Sequence, residues 1–568
     1  MYFLPWVSLF FSILWASAVA AIPSPTYKRA SSPFVSTSGP DFVVNGSLLK
    51  YIGTNAYWLP TLNTNEDIWN TLGNISALGI KVIRLWAFND VDTIPVNGTW
   101  LQLIKDGTVS VNDGPNGLQK LDTVIQMAEQ RGLYVILSLT NNWDPFVNSS
   151  AVTNSSIPRN YLSNNYGGMD LYVQQFGLQT HDQFYTNPSI LTSFMNYTTQ
   201  VVSRYVNSPS VFSYELANDP RCNSTLPASP TCTTETITTW HATVAAHIRS
   251  IDPNHLISSG VGGYMCTDCP KLYPLTPSPA PPAPSPAPGK KKRSQGKPVT
   301  KEQILRERSE RRRRNRETAK RAGTLVEDGV RIRGRWVSTA TKRQQTSTTG
   351  SMYDGSYGVD SQDISNIPDI GFSSFQLFPD QQSYGPDDPN VAPWQSVEQN
   401  GAQWITNQAQ SASAVGKPAV LTGFGLVTQS NAPYFVPFNS TVAPFATDGQ
   451  SGITLGARRL LKRQSTTSYG VTSQQQASTY TSWINTGIAA GLNGIVQYQW
   501  GQSGLTTEPG TTVTPTTTTG ETSTPSSPGE VPTPQETTGE SPNDGYSITG
   551  STTDQQILGS ASQSIAAD

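Results

Sequence analysis

Apolar runs rich in β-branched and aromatic residues recur along this chain, and between most of them the apolar positions fall at helical spacing. Residues 49–58, 81–88, 133–139, 211–216, 256–259, 371–378, 418–422 and 494–500 read as strands. Residues 66–78, 117–131, 188–205, 234–251, 396–414 and 473–490 read as helices. Eight strands with apolar interiors, separated mostly by helices, predict the α/β class and a closed parallel (β/α)8, or TIM, barrel. A last amphipathic stretch at 554–567, DQQILGSASQSIAA, predicts the final barrel helix.

Two segments break the pattern. Residues 270–350 run from PLTPSPAPPAPSPAPG into the basic run KKKRSQGKPVTKEQILRERSERRRRNRETAKR. Residues 505–543 are rich in Thr, Pro, Ser, Gly and Glu and hold almost no core-forming residues. Both compositions predict disorder, and the second has the character of an O-glycosylated stalk set into the loop after the eighth strand. The expected organisation is a signal peptide at 1–21, then an N-terminal segment at 22–39 that is a candidate propeptide. The first part of the barrel, strands one to five, follows at 40–269, and the first insert at 270–350. Strands six to eight occupy 351–504, the second insert 505–543, and the final helix 544–568.

The N-terminal run MYFLPWVSLFFSILWASAVAA ends in small residues and no stop-transfer charges follow it, so it reads as a secretory signal and not as a membrane span. No other segment is apolar enough to cross a bilayer, and no membrane partner is expected. Lys28-Arg29 offers a second cut. Eight Asn-X-Ser/Thr sequons, at Asn45, Asn74, Asn97, Asn148, Asn154, Asn196, Asn223 and Asn439, fit a secreted, extracellular glycoprotein, with cell-wall association left open. Cys222, Cys232, Cys266 and Cys269 fit an oxidising compartment and two local disulfide staples. A redox or zinc role for Cys266-Thr267-Asp268-Cys269 lacks a second pair at metal spacing and a nearby histidine. No metal and no cofactor are expected, and a monomer is. His181 reads as a loop anchor, and His241, His247 and His255 as helix and loop-surface residues.

The formal net charge of −2 hides two opposed parts. Residues 290–321 hold 15 of the 38 Lys and Arg against four Glu, which leaves 23 basic and 36 acidic residues in the remainder. The stretch Asn315 to Ala319 is similar to the basic region of a leucine-zipper factor, but no leucine heptads follow and the chain reads as secreted. No nucleic-acid partner is expected. The basic run reads as a linker cut at Lys292-Arg293, Lys320-Arg321 and Lys342-Arg343, or as intron sequence.

In such a barrel, chemistry gathers at the C-terminal ends of the strands. There stand Trp58, Arg84 and Trp86, then Asn141, Asn142 and Trp143, then Asn218 and Asp219, and later Gln376, Phe378 and Tyr498. Flat rings at strand ends suit pyranose faces. With the stretches YIGTNAYWL, VIRLWAFND, NYGGMDLYV, HDQFYTNP, ELANDPRC and DPNHLISSG, the chain resembles the fungal endo-β-1,4-mannanase branch of glycoside hydrolase family 5. The resemblance covers roughly residues 40–265 and 353–500, with a weaker echo at Asp544-Gly545-Tyr546. It implies a β-linked, mannan-type polysaccharide as partner, contacted by Arg84, Trp86, Asn142, Trp143, Asn218, Gln376, Phe378 and Tyr498.

A retaining enzyme of that family needs two carboxylic acids roughly 5–5.5 Å apart. The acid/base position after strand four falls on Asp219, one methylene shorter than glutamate. The nucleophile position, in Thr422-Gly423-Phe424-Gly425, falls on Gly423, and no Asp or Glu occurs from residue 399 to 447. The family's His-X-Tyr-Pro-Asp appears as Gln376-Leu377-Phe378-Pro379-Asp380, the acidic residue after strand five as Gly262, and the Trp-Gln after strand eight as Tyr498-Gln499. The shorter acid retracts the carboxyl by about 1 Å, enough to cost on the order of 10²-fold, and without a nucleophile the covalent route disappears. Glu215, on the same strand face but about 13 Å deeper, is expected to be a buried structural contact. Asp90 and Asp144 are the remaining candidates for a base. Three readings follow: a mannanase-like barrel with a polysaccharide-binding cleft and retaining hydrolysis lost or strongly impaired; an active endo-β-1,4-mannanase working through Asp219 and an unrecognised base; or a structural cell-wall glycoprotein. The first is favoured, and whether the chain is an enzyme stays open.

Overall fold

The computed structural model describes residues 32–146, 158–275, 352–445, 469–515 and 538–566, with the backbone alone of residues 329–332, 335–338 and 514–515. Eight strands form one sheet: β1 (Tyr51–Asn55), β2 (Val82–Trp86), β3 (Tyr134–Ser138), β4 (Val211–Glu215), β5 (Leu256–Ser258), β6 (Ser373–Leu377), β7 (Ala419–Phe424) and β8 (Gly494–Gln497). Each pairs in parallel with its neighbours in chain order, and β8 pairs with β1. A bridge between Ser258 and Phe372 joins β5 to β6 and closes the circle. The predicted (β/α)8 barrel is the observed fold.

A barrel helix follows each strand: α1 (Asn65–Ala77), α2 (Leu118–Gln130), α3 (Pro188–Tyr205), α4 (Thr234–Ile251), α5 (Ser361–Ser365), α6 (Pro393–Val415), α7 (Ser473–Ala489) and α8 (Thr552–Ile565), with two short extra helices, Met169–Gln175 and Gln183–Thr186, ahead of α3. Their starts are written in the sequence. Thr64 accepts from the Asp67 N–H at the start of α1, Asn187 caps α3 ahead of Pro188, and Thr472 and Gln475 bond each other's backbone at α7. Ser551 caps α8, the helix expected beyond the second insert.

The bottom of the barrel is stoppered by an antiparallel sheet of Ser36–Ser38, Asp41–Val44 and Ser47–Leu49. Phe42 from this sheet packs edge-on against Phe212 and Phe372, within a cluster that also holds Val35, Val82, Ile136, Val420 and Val496. Within the N-terminal segment at 22–39, a candidate propeptide, Val35 is buried in that stopper. The expected signal peptide at 1–21 and residues 22–31 lie outside the described residues.

Parts of both expected inserts are among the described residues. Residues 270–275 are held to the body, with Lys271 donating to the Cys266 carbonyl and bonded to Asp360, and the Leu272 and Tyr273 N–H groups donating to Asp363. Farther on, Gly329–Ile332 pairs antiparallel with Arg335–Ser338. In the second insert, Ser503–Thr506, Thr514–Pro515 and Thr538–Glu540 form a three-stranded sheet, and Leu505 and Val513 are buried. Threonine-rich composition concealed this sheet because threonine suits a strand as well as a stalk. The remaining insert residues, including the whole basic run at 290–321, lie outside the described residues.

Two histidines correct the expectation of surface placement. His241 is fully buried, its Nδ1 bonded to the Ile237 carbonyl at 2.7 Å, and burial pushes its pKa down to about 4. His255 is buried between Asp252 and the Ser208 carbonyl. No helix among the described residues is long and apolar enough to cross a membrane.

Candidate active site

Across the middle of the barrel, β2 and β4 are tied by an ion pair. Arg84 Nε and Nη2 donate to Glu215, with Nε–Oε2 at 3.0 Å and Nη2–Oε1 at 2.5 Å, and Ser138 Oγ donates to the same carboxylate. The remaining Arg84 donor, Nη1, reaches Asn55 Oδ1 at 3.1 Å. Both side chains are essentially excluded from solvent, so Glu215 is the buried structural contact expected of it. Above the pair, Asn218 Oδ1 accepts from Arg84 Nη2 at 2.8 Å and from Gln376 Nε2 at 3.1 Å. Arg84, Asn218 and Gln376 thus come together as one polar floor spanning β2, β4 and β6.

Asp219 stands just past β4 at the positive φ of 53°, which aspartate tolerates better than most residues. Its Oδ2 accepts from Arg221 Nη2 at 2.6 Å and from Trp143 Nε1 at 3.2 Å. The guanidinium lies over the rings of Trp143, Tyr264 and Tyr357, 4.6–5.0 Å from their centres. Asp219 Oδ1 has no hydrogen-bond partner among the described residues. A Cβ at Gly262 would come within 2.9 Å of that oxygen, so the loop after β5 passes too close for a side chain. Disulfides Cys222–Cys232 and Cys266–Cys269 brace these two loops, giving the two local staples expected.

On the opposite side, Gly423 sits near the end of β7. A Cβ there would lie 3.2 Å from Phe378 Cζ and 3.8 Å from Asn55 Nδ2. A side chain at residue 423 would therefore meet an apolar ring edge that carries no hydroxyl. Phe378 is buried edge-on against Tyr498 at 5.3 Å, Phe438 at 5.3 Å and Tyr546 at 5.5 Å. Tyr498 stacks on Tyr57 and donates its hydroxyl to Asp544 Oδ2 at 2.6 Å, which Ser163 Oγ also reaches. Trp86 stacks between Tyr57 and Phe88, with its Nε1 bonded to the Ser163 carbonyl.

Asn142 takes a different place. It is fully buried behind Asp219, where its Oδ1 meets the Arg221 N–H and His181 Nε2, both at 2.9 Å, and its Nδ2 donates to the Asn223 carbonyl. His181 also bonds Asp170 at 2.6 Å, the loop anchor expected. Trp58 is fully buried as well.

The candidate bases are poorly suited to the work. Burial pushes the Asp90 carboxyl up to about 8 and the Asp144 carboxyl well above the usual range, which works against the ionised form a base needs. Burial also raises Asp544 and Asp380 to about 6. Ser163, Phe438 and Arg221 line this region without having been expected there, and Asp544 was noted only as a weak echo of the resemblance; Arg221 was within reach, two residues beyond Asp219. Among the described residues no cluster of three or more His, Cys, Asp or Glu side chains is arranged to hold a metal.

The barrel is closed and carries polar and aromatic groups at its strand ends, and residues 42–279 match the family model described as Cellulase (glycosyl hydrolase family 5). The chain is 35% identical over 268 residues to Mannan endo-1,4-beta-mannosidase A from Aspergillus aculeatus, covering 47% of this chain and 64% of that protein. It is 38% identical over 262 residues to the protein of the same name from Hypocrea jecorina, covering 46% and 53%. The chain thus spans between half and two thirds of the length of these relatives. Among solved structures, the endo-1,4-beta-mannanase of Rhizomucor miehei aligns with a TM-score of 0.56 at 21% identity, over 94% of this chain and all of that one. The endo-beta-1,4-mannanase of Thermotoga petrophila aligns with a TM-score of 0.53 at 19% identity, over 92% and 78%. At those identities the structural likeness speaks for the barrel alone.

Proposed function

We propose that this chain is a secreted, mannanase-like glycosyl hydrolase family 5 protein that holds β-linked, mannan-type polysaccharide and has lost, or nearly lost, retaining hydrolysis. One observation carries the reading: where two carboxylic acids are required, residue 423 is a glycine against the Phe378 ring, and Asp219 is bound to Arg221 at 2.6 Å. A double displacement has no nucleophile to begin from. Binding asks less. The floor of Asn218 and Gln376 offers amides for sugar hydroxyls, with the edge of Trp143 beside it, whereas Trp86 is enclosed between Tyr57 and Phe88 and Tyr498 is stacked on Tyr57, so both back the site from behind. Two disulfides and the apolar N-terminus support secretion. So do the exposed sequon residues Asn45, Asn74, Asn97, Asn196 and Asn439, with Asn223 half-buried and Asn148 and Asn154 outside the described residues.

The test pairs retention on insoluble β-mannan with reducing-sugar release from soluble mannan. Retention without release is expected. Release abolished by Asp219→Ala would overturn the loss of activity and leave an active endo-β-1,4-mannanase. Neither release nor retention would overturn both sugar readings and leave a structural cell-wall role.

A further inference from the structure

Four large apolar side chains stand exposed among the described residues, and three of them flank sequon asparagines. Leu48, 64% exposed, lies three residues after Asn45. Ile94, 52% exposed, and Val96, 99% exposed, stand just before Asn97. Single exposed apolar residues are ordinary, and it is the pair Ile94 and Val96, close together before one sequon, that bears on Asn97. Asn97 also borders a cavity of about 350 Å³ between the loops that follow β8, β1 and β2. Asn63, Asn116, Thr61, Lys120 and Glu508 complete much of its wall. Amides, a hydroxyl, an ammonium and a carboxylate around one space form a donor and acceptor set suited to sugar hydroxyls. The amide of Asn97 is already held at the rim, with one Nδ2 hydrogen donated to the Pro509 carbonyl at 3.3 Å.

We propose that Asn97 carries an N-linked glycan whose first sugars seat in this cavity, with their apolar faces over Val96 and Ile94. The inference rests on the secreted reading above. The bond formed joins Nδ2 of Asn97 to C1 of the first sugar. The bond broken is that between C1 and the diphosphate oxygen of a polyprenyl-diphosphate-linked oligosaccharide, the donor class: the lipid diphosphate leaves with the electron pair, and one Nδ2 hydrogen leaves as a proton. The second amide hydrogen remains available for Pro509. A cavity of this size suits about two sugar rings, so the inner part of the glycan is packed and the outer part is in solvent.

The test uses the full chain secreted from a fungal host that adds glycans cleavable by an endoglycosidase. Site-by-site glycopeptide mapping follows enzymatic release from the native protein and from the denatured protein. Asn97 is expected to be occupied, and its glycan to be released from the native protein roughly tenfold more slowly than that on Asn196, which lies exposed on α3. Denaturation should abolish the difference, and so should the exposed substitution Glu508→Ala combined with Lys120→Ala. Native deglycosylation should also raise binding of a hydrophobic dye, a readout that needs no variant. Glycans on Asn196 and Asn439 with a bare Asn97 would overturn the inference while leaving secretion intact. Equal release rates at Asn97 and Asn196 would overturn the seat. No glycan at any sequon would overturn the secreted reading and this inference with it.

Discussion

Replacing Asp219 by asparagine separates a structural carboxylate from a catalytic one. Asparagine has nearly the same size, tolerates the positive φ, and can still accept from Trp143. What it removes is the counter-charge of Arg221, whose side chain is only 5% exposed. Removing one partner of a buried ion pair costs about 3–5 kcal/mol. The ring faces of Trp143, Tyr264 and Tyr357 continue to hold the guanidinium, each contributing about 0.5–1 kcal/mol. Because the asparagine oxygen also remains, the expected net loss is about 2 kcal/mol. Asp219→Ala loses that oxygen too and places alanine in the left-handed region, adding about 1 kcal/mol. Urea unfolding at pH 7 reads both: the midpoint falls while the slope is unchanged. Pairing Asp219→Asn with Arg221→Met should recover most of the loss, because no buried charge is left unpaired. An Asp219→Asn protein as stable as the parent, or more stable, would refute the role of structural counter-ion.

Gly423→Glu alone should destabilise by about 1–3 kcal/mol, because its Cβ meets Phe378 at 3.2 Å, and should release no reducing sugar. Combined with Asp219→Glu and Phe378→Tyr it should yield measurable hydrolysis of mannan; equal activity in the single variant would contradict the part given to Phe378. The carboxyls of Asp90, at about 8, and of Asp380 and Asp544, at about 6, lie above the ordinary value, so their contribution to stability is full below about pH 4 and is lost as pH rises through 6 and 8. Asp544→Asn should flatten that decline near pH 6 by on the order of 2 kcal/mol in urea titrations, and an unchanged slope would contradict it. Replacing Cys222 and Cys232 by serine opens a staple of sequence separation 10 and should cost about 2–3 kcal/mol, read as a lower Tm.

All eight barrel strands were legible because each is an apolar run bounded by turn residues, and capped helices follow most of them. The fifth helix was not, since Ser361–Ser365 is too short to show a helical period. The polar floor was legible from strand ends: Arg84, Asn218 and Gln376 do meet. Asn142 was misplaced because position after a strand does not tell which way an amide points, and here it faces His181. The aromatic wall was half legible. Phe378 and Tyr498 sit at strand ends, whereas Phe438 reaches them from a long loop, where its backbone oxygen accepts from Asn164 Nδ2 at 2.6 Å. Asp544 arrives from beyond the Thr-rich insert, and no local pattern ties it to Tyr498. His255 did leave a trace, since an aspartate three residues earlier forms its buried partner.

The central claim, a barrel that holds β-mannan without cutting it by the retaining route, is tested most directly with mannohexaose. Calorimetry of binding should be run beside chromatography of the same solution over days. The account predicts measurable binding and intact hexasaccharide. Shorter manno-oligosaccharides that appear with retained anomeric configuration, and vanish in Asp219→Ala, would contradict it.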